Sequence, residues 1–298
     1  MKFSRTRDWL RLVRPPNLPT VPGDAAAGFF LAGGAAGDGG WGRLAAACGS
    51  VVCLYAAGLI WNDVADRGHD GKTHPGRPLP SGRVSPGRAA WGGGILAAAG
   101  LATAAAGGWS MPASAAAVLA LVLLYDFAAK RCAVGGPVTM GLCRGGSVVL
   151  GASAAGLAWT WSWSWLAAAA TAAYFAAVTA IARGETRVTS PPKWTCLLPP
   201  AVAALPTAVC MGGAIAGGAS AWSAVLAIAA LAWVGRHAWA LRRAAGYDEI
   251  GPRVGGLIRT WILMQAAMCA FGGGVEASLI LIVLLPVSAV LARWFYAS

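Results

Sequence analysis

A chain of 298 residues in which 57% are hydrophobic and only 11% charged falls far below the roughly 25% charge of an ordinary soluble domain. That deficit excludes a soluble helical protein, because so many apolar segments need more polar surface than this composition supplies. The net charge of +12 would suggest nucleic acid in a soluble protein; here its distribution points to membrane orientation instead, and no nucleic-acid partner is expected.

The chain opens on a basic arm, 1–14, followed by Pro15, Pro16, Pro19 and Pro22. Basic residues ahead of Ala-rich sequence imitate a signal peptide, but the prolines break the apolar region, and the stretch reads as a retained first helix. The predicted spans are 18–37, 43–61, 89–108, 112–127, 137–158, 164–182, 196–217, 221–240, 255–272 and 277–296. Most are near the ~20 residues that cross a hydrocarbon core. The stretch 112–127 is short, and 255–272 opens with Gly255, Gly256 and Arg259. Between the second and third spans, 62–88 holds Gly68, Gly71, Pro75, Gly76, Pro78, Pro80, Gly82 and Pro86, the composition of a structured or mobile cap. Glycines such as Gly92, Gly93, Gly94 and Gly100, or Gly212, Gly213, Gly217 and Gly218, let helix backbones approach closely. Trp159, Trp161, Trp163 and Trp165 read as an interfacial belt. Glu276 is expected in an outer loop, and the seven cysteines, with no C-x-x-C pair, predict neither disulfides nor zinc.

All of the 23 Lys and Arg except Arg43 and Arg144 fall in the N-terminal arm, the even-numbered loops or the C-terminal end, with Arg259 just inside a helix start. Ten spans with both ends cytoplasmic satisfy the positive-inside rule. That places loop 62–88 in the cytoplasm.

Only 11 acids are present, and three fall in Asn62-Asp63-Val64-Ala65-Asp66-Arg67-Gly68-His69-Asp70. Spacings of three and four put Asp63, Asp66 and Asp70 on one helical face, within roughly 60° at 100° per residue. Three carboxylates on one face repel and require a counter-charge. Carboxylates with few other ligands suit a hard cation such as Mg²⁺, which completes its shell with water and phosphate oxygens. Asn62 can add a neutral oxygen or a hydrogen bond. Lys72, Arg77 and Arg83, in the loop that follows, are candidate phosphate contacts. His69 and His74 read as polar loop residues. Arg144, about two turns into the fifth span, is expensive there and should face a cavity or a partner. Asp126 is either its partner or an acid at the interface.

The run Asn62-Asp63-x-x-Asp66-x-x-x-Asp70 followed by Arg77-Pro78-Leu79-Pro80-Ser81-Gly82 resembles the first Asp-rich motif of the UbiA superfamily of intramembrane prenyltransferases. Arg14-Pro15 is similar to the family's segment ahead of the first helix, and Tyr125 with Lys130-Arg131 to its Tyr…Lys-Arg stretch after the fourth. The resemblance implies an all-α integral membrane protein, a bundle of nine to ten helices around a central cavity, forming a single domain over 1–298. It implies an isoprenyl diphosphate whose head lies on Mg²⁺ and whose tail follows an apolar tunnel, in a dry chamber lined by Ala, Gly and Trp. Ionisation gives an allylic cation that a small acceptor captures. Asp63 and Asp66 would hold the metal, with Asn62 and Asp70 supporting. Arg77, Lys130 and Arg131 would contact the diphosphate, and Arg144 the substrate. Asn17 and Tyr125 would belong to the substrate cavity.

The family's second Asp-rich motif, at the end of the sixth helix, is replaced here by Ala182-Arg183-Gly184-Glu185-Thr186-Arg187. Glu185 is its only acid; Arg183 or Arg187 could replace a metal's charge on the diphosphate, or the site could use a single metal. Met140-Gly141-Leu142-Cys143-Arg144-Gly145 and Arg183-Gly184-Glu185 are similar to a divergent bacterial branch, the EboC-like proteins. The resemblance implies a bacterial inner-membrane location. A terpene cyclase acting on the diphosphate alone, or a non-catalytic prenyl-lipid binding or transport component, are the alternative readings.

Overall fold

The computed structural model describes residues 2–35, 37, 39–156, 162–183, 193–244 and 249–295. Among these residues eleven α-helices follow in chain order: α1 (Lys2–Leu12), α2 (Pro22–Leu31), α3 (Gly40–Thr73), α4 (Pro86–Gly107), α5 (Met111–Phe127), α6 (Gly135–Ala154), α7 (Trp163–Ala182), α8 (Leu198–Ile215), α9 (Ala221–Arg243), α10 (Ile250–Phe271) and α11 (Val275–Trp294). No strand occurs among the described residues. Helices α2 to α11 occupy the ten predicted stretches in order. Among the described residues seven helices are long and apolar enough to cross a membrane, and large apolar side chains such as Trp91, Ile95, Ile215 and Val283 lie exposed, as a lipid-facing surface requires. The chain is an all-α integral membrane protein.

From α2 onward sequential helices are neighbours. α3 pairs with α4, α5 with α6, α6 with α7, α8 with α9 and α9 with α10; α2 packs on α6 and α10 and closes the bundle, and α11 packs outside on α10. Arg11, at the end of α1, and Arg293, at the end of α11, line one cavity. The end of α1 and the end of α11 therefore lie at the same end of the bundle, so α2 to α11 make an even number of passes.

Four expectations change. The first span was expected over 18–37, yet α2 covers only Pro22–Leu31, after a 3-10 turn at Leu18–Thr20. Pro22 starts it, since proline suits the first helical position. Gly33, at φ 83°, ends it, taking the left-handed conformation that glycine adopts freely. Second, α3 does not stop at residue 61 but runs unbroken for 34 residues. At ~1.5 Å per residue it is roughly 50 Å long, well beyond the ~30 Å hydrocarbon core. Its last turns project and carry the Asp-rich run, so the true loop is only 74–85. That loop is structured: Leu79 and Val84 are buried with Leu12, Ile60 and Ala89 in a small core of their own, which clamps α1 onto α3 and α4. Third, α10, which looked weak, is the most buried of the long helices. Trp261 stacks on Tyr174 with ring centroids 4.0 Å apart, and the Tyr174 hydroxyl donates to the Leu257 carbonyl at 3.0 Å. A helix surrounded by others is apolar on all sides and shows no amphipathic signal. Glu276 likewise lies in the first turn of α11, not in a loop.

The α2–α6 crossing is close because of two glycines. A Cβ on Gly28 would run into the Val148 carbonyl, and one on Gly151 into the Ala25 carbonyl. This approach sets the distance between α2 and α6 side chains one turn further on.

Candidate active site

The projecting end of α3 presents its three carboxylates to bases from three separate segments. Arg14, just after α1, donates to Asp63 Oδ1 at 2.9 Å. Lys130, after α5, lies 2.7 Å from Asp66 Oδ1 and 3.4 Å from the Asn62 carbonyl. Arg77, in the cap loop, donates to Asp70 Oδ2 at 2.8 Å. Asp63 and Asp70 are buried and Asp66 is part-exposed. Each acid thus has one oxygen neutralised, and among the described residues no protein donor reaches the other.

Two cavities meet at Arg14. The inner one lies between α3, α5 and α6. It is walled by Val51, Tyr55, Gly58, Leu59, Val118, Val122, Met140 and Cys143, with Asn62, Tyr125, Asp126, Arg144 and Ser147 as its polar groups. Its free volume is about 100 Å³, below the ~300–1,000 Å³ of ordinary ligand pockets. The expected Ala/Gly/Trp lining is corrected to aliphatic, Tyr and Met side chains with a single glycine, because the Ala and Gly surfaces are spent on helix contacts. The outer cavity, about 510 Å³, is walled by Arg7, Arg11, Arg14, Asp63, His74, Gly76, Arg77, Pro78, Arg293, Trp294 and Phe295.

Asp126 belongs at the inner cavity. Asn62 donates from Nδ2 to its Oδ1 at 3.0 Å, while its buried Oδ2 has no protein partner. Asn62 therefore orients a carboxylate. The partner of Arg144 is not Asp126 but Asp24, at 2.5 Å from Nε. Arg144 also donates to the Thr20 carbonyl at 2.7 Å and lies 3.8 Å from the Phe175 ring centroid. Gln265 of α10 donates to Asp24 Oδ1 at 2.6 Å and to the Thr20 carbonyl at 2.8 Å. This buried pair, supported from α2, α6 and α10, neutralises a charge the membrane interior would otherwise penalise.

Other predicted residues are not gathered here. Arg83 donates to Asp8 Oδ1 at 3.0 Å and to the Gly76 carbonyl at 2.8 Å, tying the cap loop to α1. Arg183 donates to the carbonyls of Lys130, Arg131 and Cys132, which holds the segment carrying Lys130. Lys72 and Arg131 are exposed. Asn17 lines neither cavity; its carbonyl accepts from the Thr20 hydroxyl at 2.7 Å. Glu185 and Arg187 lie outside the described residues, as do Trp159 and Trp161. Arg14, Asp24 and Gln265 were not recognised as partners in the sequence. Arg14 carried a signal in Arg14-Pro15; the other two are an acid and an amide in apolar stretches, each a position that demands a partner.

Among the described residues no three metal-binding side chains converge. The donor set suits Mg²⁺ only in the mode where one or two carboxylates and substrate phosphates share the ion, not a protein-only cage.

No curated protein sequence matches the chain. Solved structures do. An apo UbiA homologue from Aeropyrum pernix K1 is 22% identical with a TM-score of 0.65, covering 88% of this chain and 98% of its own. A digeranylgeranylglyceryl phosphate synthase is 16% identical with a TM-score of 0.64, over 92% of this chain and 99% of that one. A UbiA homologue from Archaeoglobus fulgidus bound to DMAPP and Mg²⁺ is 16% identical, TM-score 0.59, over 91% and 99%. At these identities the likeness carries the fold. The profile of the UbiA prenyltransferase family matches residues 24–188, more than half the chain and including α3 with its carboxylates: the chain belongs to the UbiA prenyltransferase family.

Proposed function

We propose that this protein transfers an isoprenyl group from a prenyl diphosphate to a small acceptor within the membrane, with Mg²⁺ as cofactor. The observation that carries this reading is the row Asp63, Asp66, Asp70, each held by a base from a different segment, with Asp63 on the wall of the basic outer cavity and its partner Arg14 shared with the apolar inner one. The A. fulgidus homologue bound to DMAPP and Mg²⁺ supports the ligand class.

Asp63 and Asp66 would hold the metal, with Asn62 and Asp70 beside them. When bound, Mg²⁺ supplies Lewis-acid stabilisation of the charge on the leaving diphosphate. Arg14, Arg77 and Lys130 are already within reach of the carboxylates, and turn from them to the diphosphate oxygens as it arrives. Their charge is thus present without an unpaired cluster of acids before the substrate comes. The allylic end enters the inner cavity, where Val51, Leu59, Val118, Val122 and Met140 exclude water from the cation. Asp126 Oδ2 is oriented by Asn62 to accept the acceptor's proton. The single domain over 1–298, a bacterial inner-membrane location, and the cytoplasmic placement of both ends and the site are part of this proposal.

The test uses purified protein in lipid nanodiscs with Mg²⁺, dimethylallyl to geranylgeranyl diphosphates and a panel of small acceptors. Release of diphosphate coupled to a prenylated acceptor is expected. Asp63→Ala and Asp66→Ala should each abolish it while the protein still inserts. Full activity in either variant removes the metal role. A hydrocarbon or alcohol formed from diphosphate alone identifies a cyclase, and tight binding without release a carrier.

A further inference from the structure

We propose that the outer cavity is the acceptor's binding site, and that it takes an acceptor carrying a phosphate-class anionic group. The inference rests on the reading of the Asp63 row as the diphosphate site and names the second substrate of that site.

Five guanidinium groups, from Arg7, Arg11, Arg14, Arg77 and Arg293, surround about 510 Å³ with one carboxylate, Asp63. They come from three stretches far apart in sequence: α1 and the turn after it, the cap loop, and the end of α11. Bases that only set orientation spread over the surface and face water or lipid headgroups. Here they converge on one space, and like charges held together raise the local concentration of an anion.

The five divide into two groups. Arg14 and Arg77, on the Asp63 side, are ion-paired to motif carboxylates at 2.9 and 2.8 Å. On the far side, Arg7 and Arg293 have no carboxylate partner among the described residues, and Arg11 has only Asp8 at 4.0 Å, an acid that Arg83 already engages at 3.0 Å. The motif side suits the diphosphate. That leaves Arg7 and Arg293 as cationic charge that no acid among the described residues satisfies, with room for a second anion. Trp294 and Phe295 line the same space and offer an apolar or aromatic face to the rest of the ligand.

Arg7, Arg11, Arg14 and Arg293 all lie outside the 24–188 region that matches the family profile. The family profile therefore does not prescribe these positions, and an acceptor preference can be written there. Arg14 walls both cavities, so an acceptor anchored here by its anion sits next to the allylic end of the donor.

The experiment compares the protein with an Arg7→Gln/Arg11→Gln/Arg293→Gln variant, both in phosphatidylcholine nanodiscs. Phenylglyoxal modification of Arg7, Arg11 and Arg293 is mapped by peptide mass spectrometry, with glycerol phosphate, inorganic phosphate or glycerol added. Farnesyl thiodiphosphate affinity is measured in parallel. The phosphates should protect these arginines at least tenfold and glycerol should not, and the variant should hold the thiodiphosphate within about twofold of the parent. Protection in phosphatidylglycerol discs without added solute also supports the site and assigns its anion to a lipid headgroup rather than a free solute. Absence of protection by phosphate in either lipid overturns the proposal. So does a tenfold loss of thiodiphosphate affinity in the variant, which would make the cavity part of the diphosphate's own site. Failure of the parent protein to bind thiodiphosphate sinks the reading of the Asp63 row instead, while the protection pattern still decides whether the far side takes an anion.

Discussion

Arg14 donates to Asp63 at 2.9 Å, and the same guanidinium forms part of the wall of both cavities. One side chain from the turn after α1 thus joins the motif on α3, the lipid-like chamber and the basic outer space. Replacing Arg14 with Met removes a charge-assisted hydrogen bond of about 1.5–3 kcal/mol. The expected outcome is a loss in kcat/KM for diphosphate release of roughly 10- to 100-fold, with a fall in the unfolding midpoint as well, because buried Asp63 loses its counter-charge. A steady-state assay across diphosphate concentrations decides it; unaltered kcat/KM would mean that Arg14 only neutralises Asp63.

Asp126 should separate catalysis from folding. Asp126→Asn keeps the shape and the oxygen that accepts from Asn62, and changes only the unpartnered Oδ2. Loss of a positioned base costs about 10²–10⁴-fold. Single-turnover prenyl transfer is expected to slow by that order while thiodiphosphate binding stays the same. A variant as fast as the parent would leave Asp126 a purely structural acid.

The Asp24–Arg144 pair is buried on both sides, so breaking it strands a charge. Asp24→Asn and Arg144→Met should each cost about 3–5 kcal/mol, read as a clear fall in unfolding midpoint in detergent. The double variant should recover much of that loss, since a neutral pair leaves no stranded charge. Additive losses in the double variant would contradict this account.

Gly28 offers a test of the α2–α6 approach. In Gly28→Ala the new Cβ meets the Val148 carbonyl, and forced separation of well-packed elements costs about 1–3 kcal/mol. The unfolding midpoint should fall. At Gly94, where an added Cβ meets nothing within 4 Å, the same substitution should leave the midpoint unchanged or slightly raised, as expected for replacing a helical glycine. Equal behaviour of the two variants would show that the crossing is not tight.

Sequence by itself determined the solvent, the helices and the motif. The scarcity of charge identified lipid, the asymmetry of Lys and Arg gave the parity of the helices, and spacings of three and four placed Asp63, Asp66 and Asp70 on one face. These are local or compositional properties, and helical periodicity preserves them whatever the helices pack against. Tertiary structure decided the partners. Arg14 meets Asp63 across 49 positions and Arg144 meets Asp24 across 120. Such pairs depend on where helices cross, which two glycines on α2 and α6 settle through steric contact rather than through any pattern in the charged residues. The same holds for α3, whose reach past the bilayer was hidden because hydropathy ends at the membrane surface while backbone hydrogen bonding does not. It holds too for the outer cavity, whose walls come from α1, the turn after it, the cap loop and the end of α11, with Asp63 of α3.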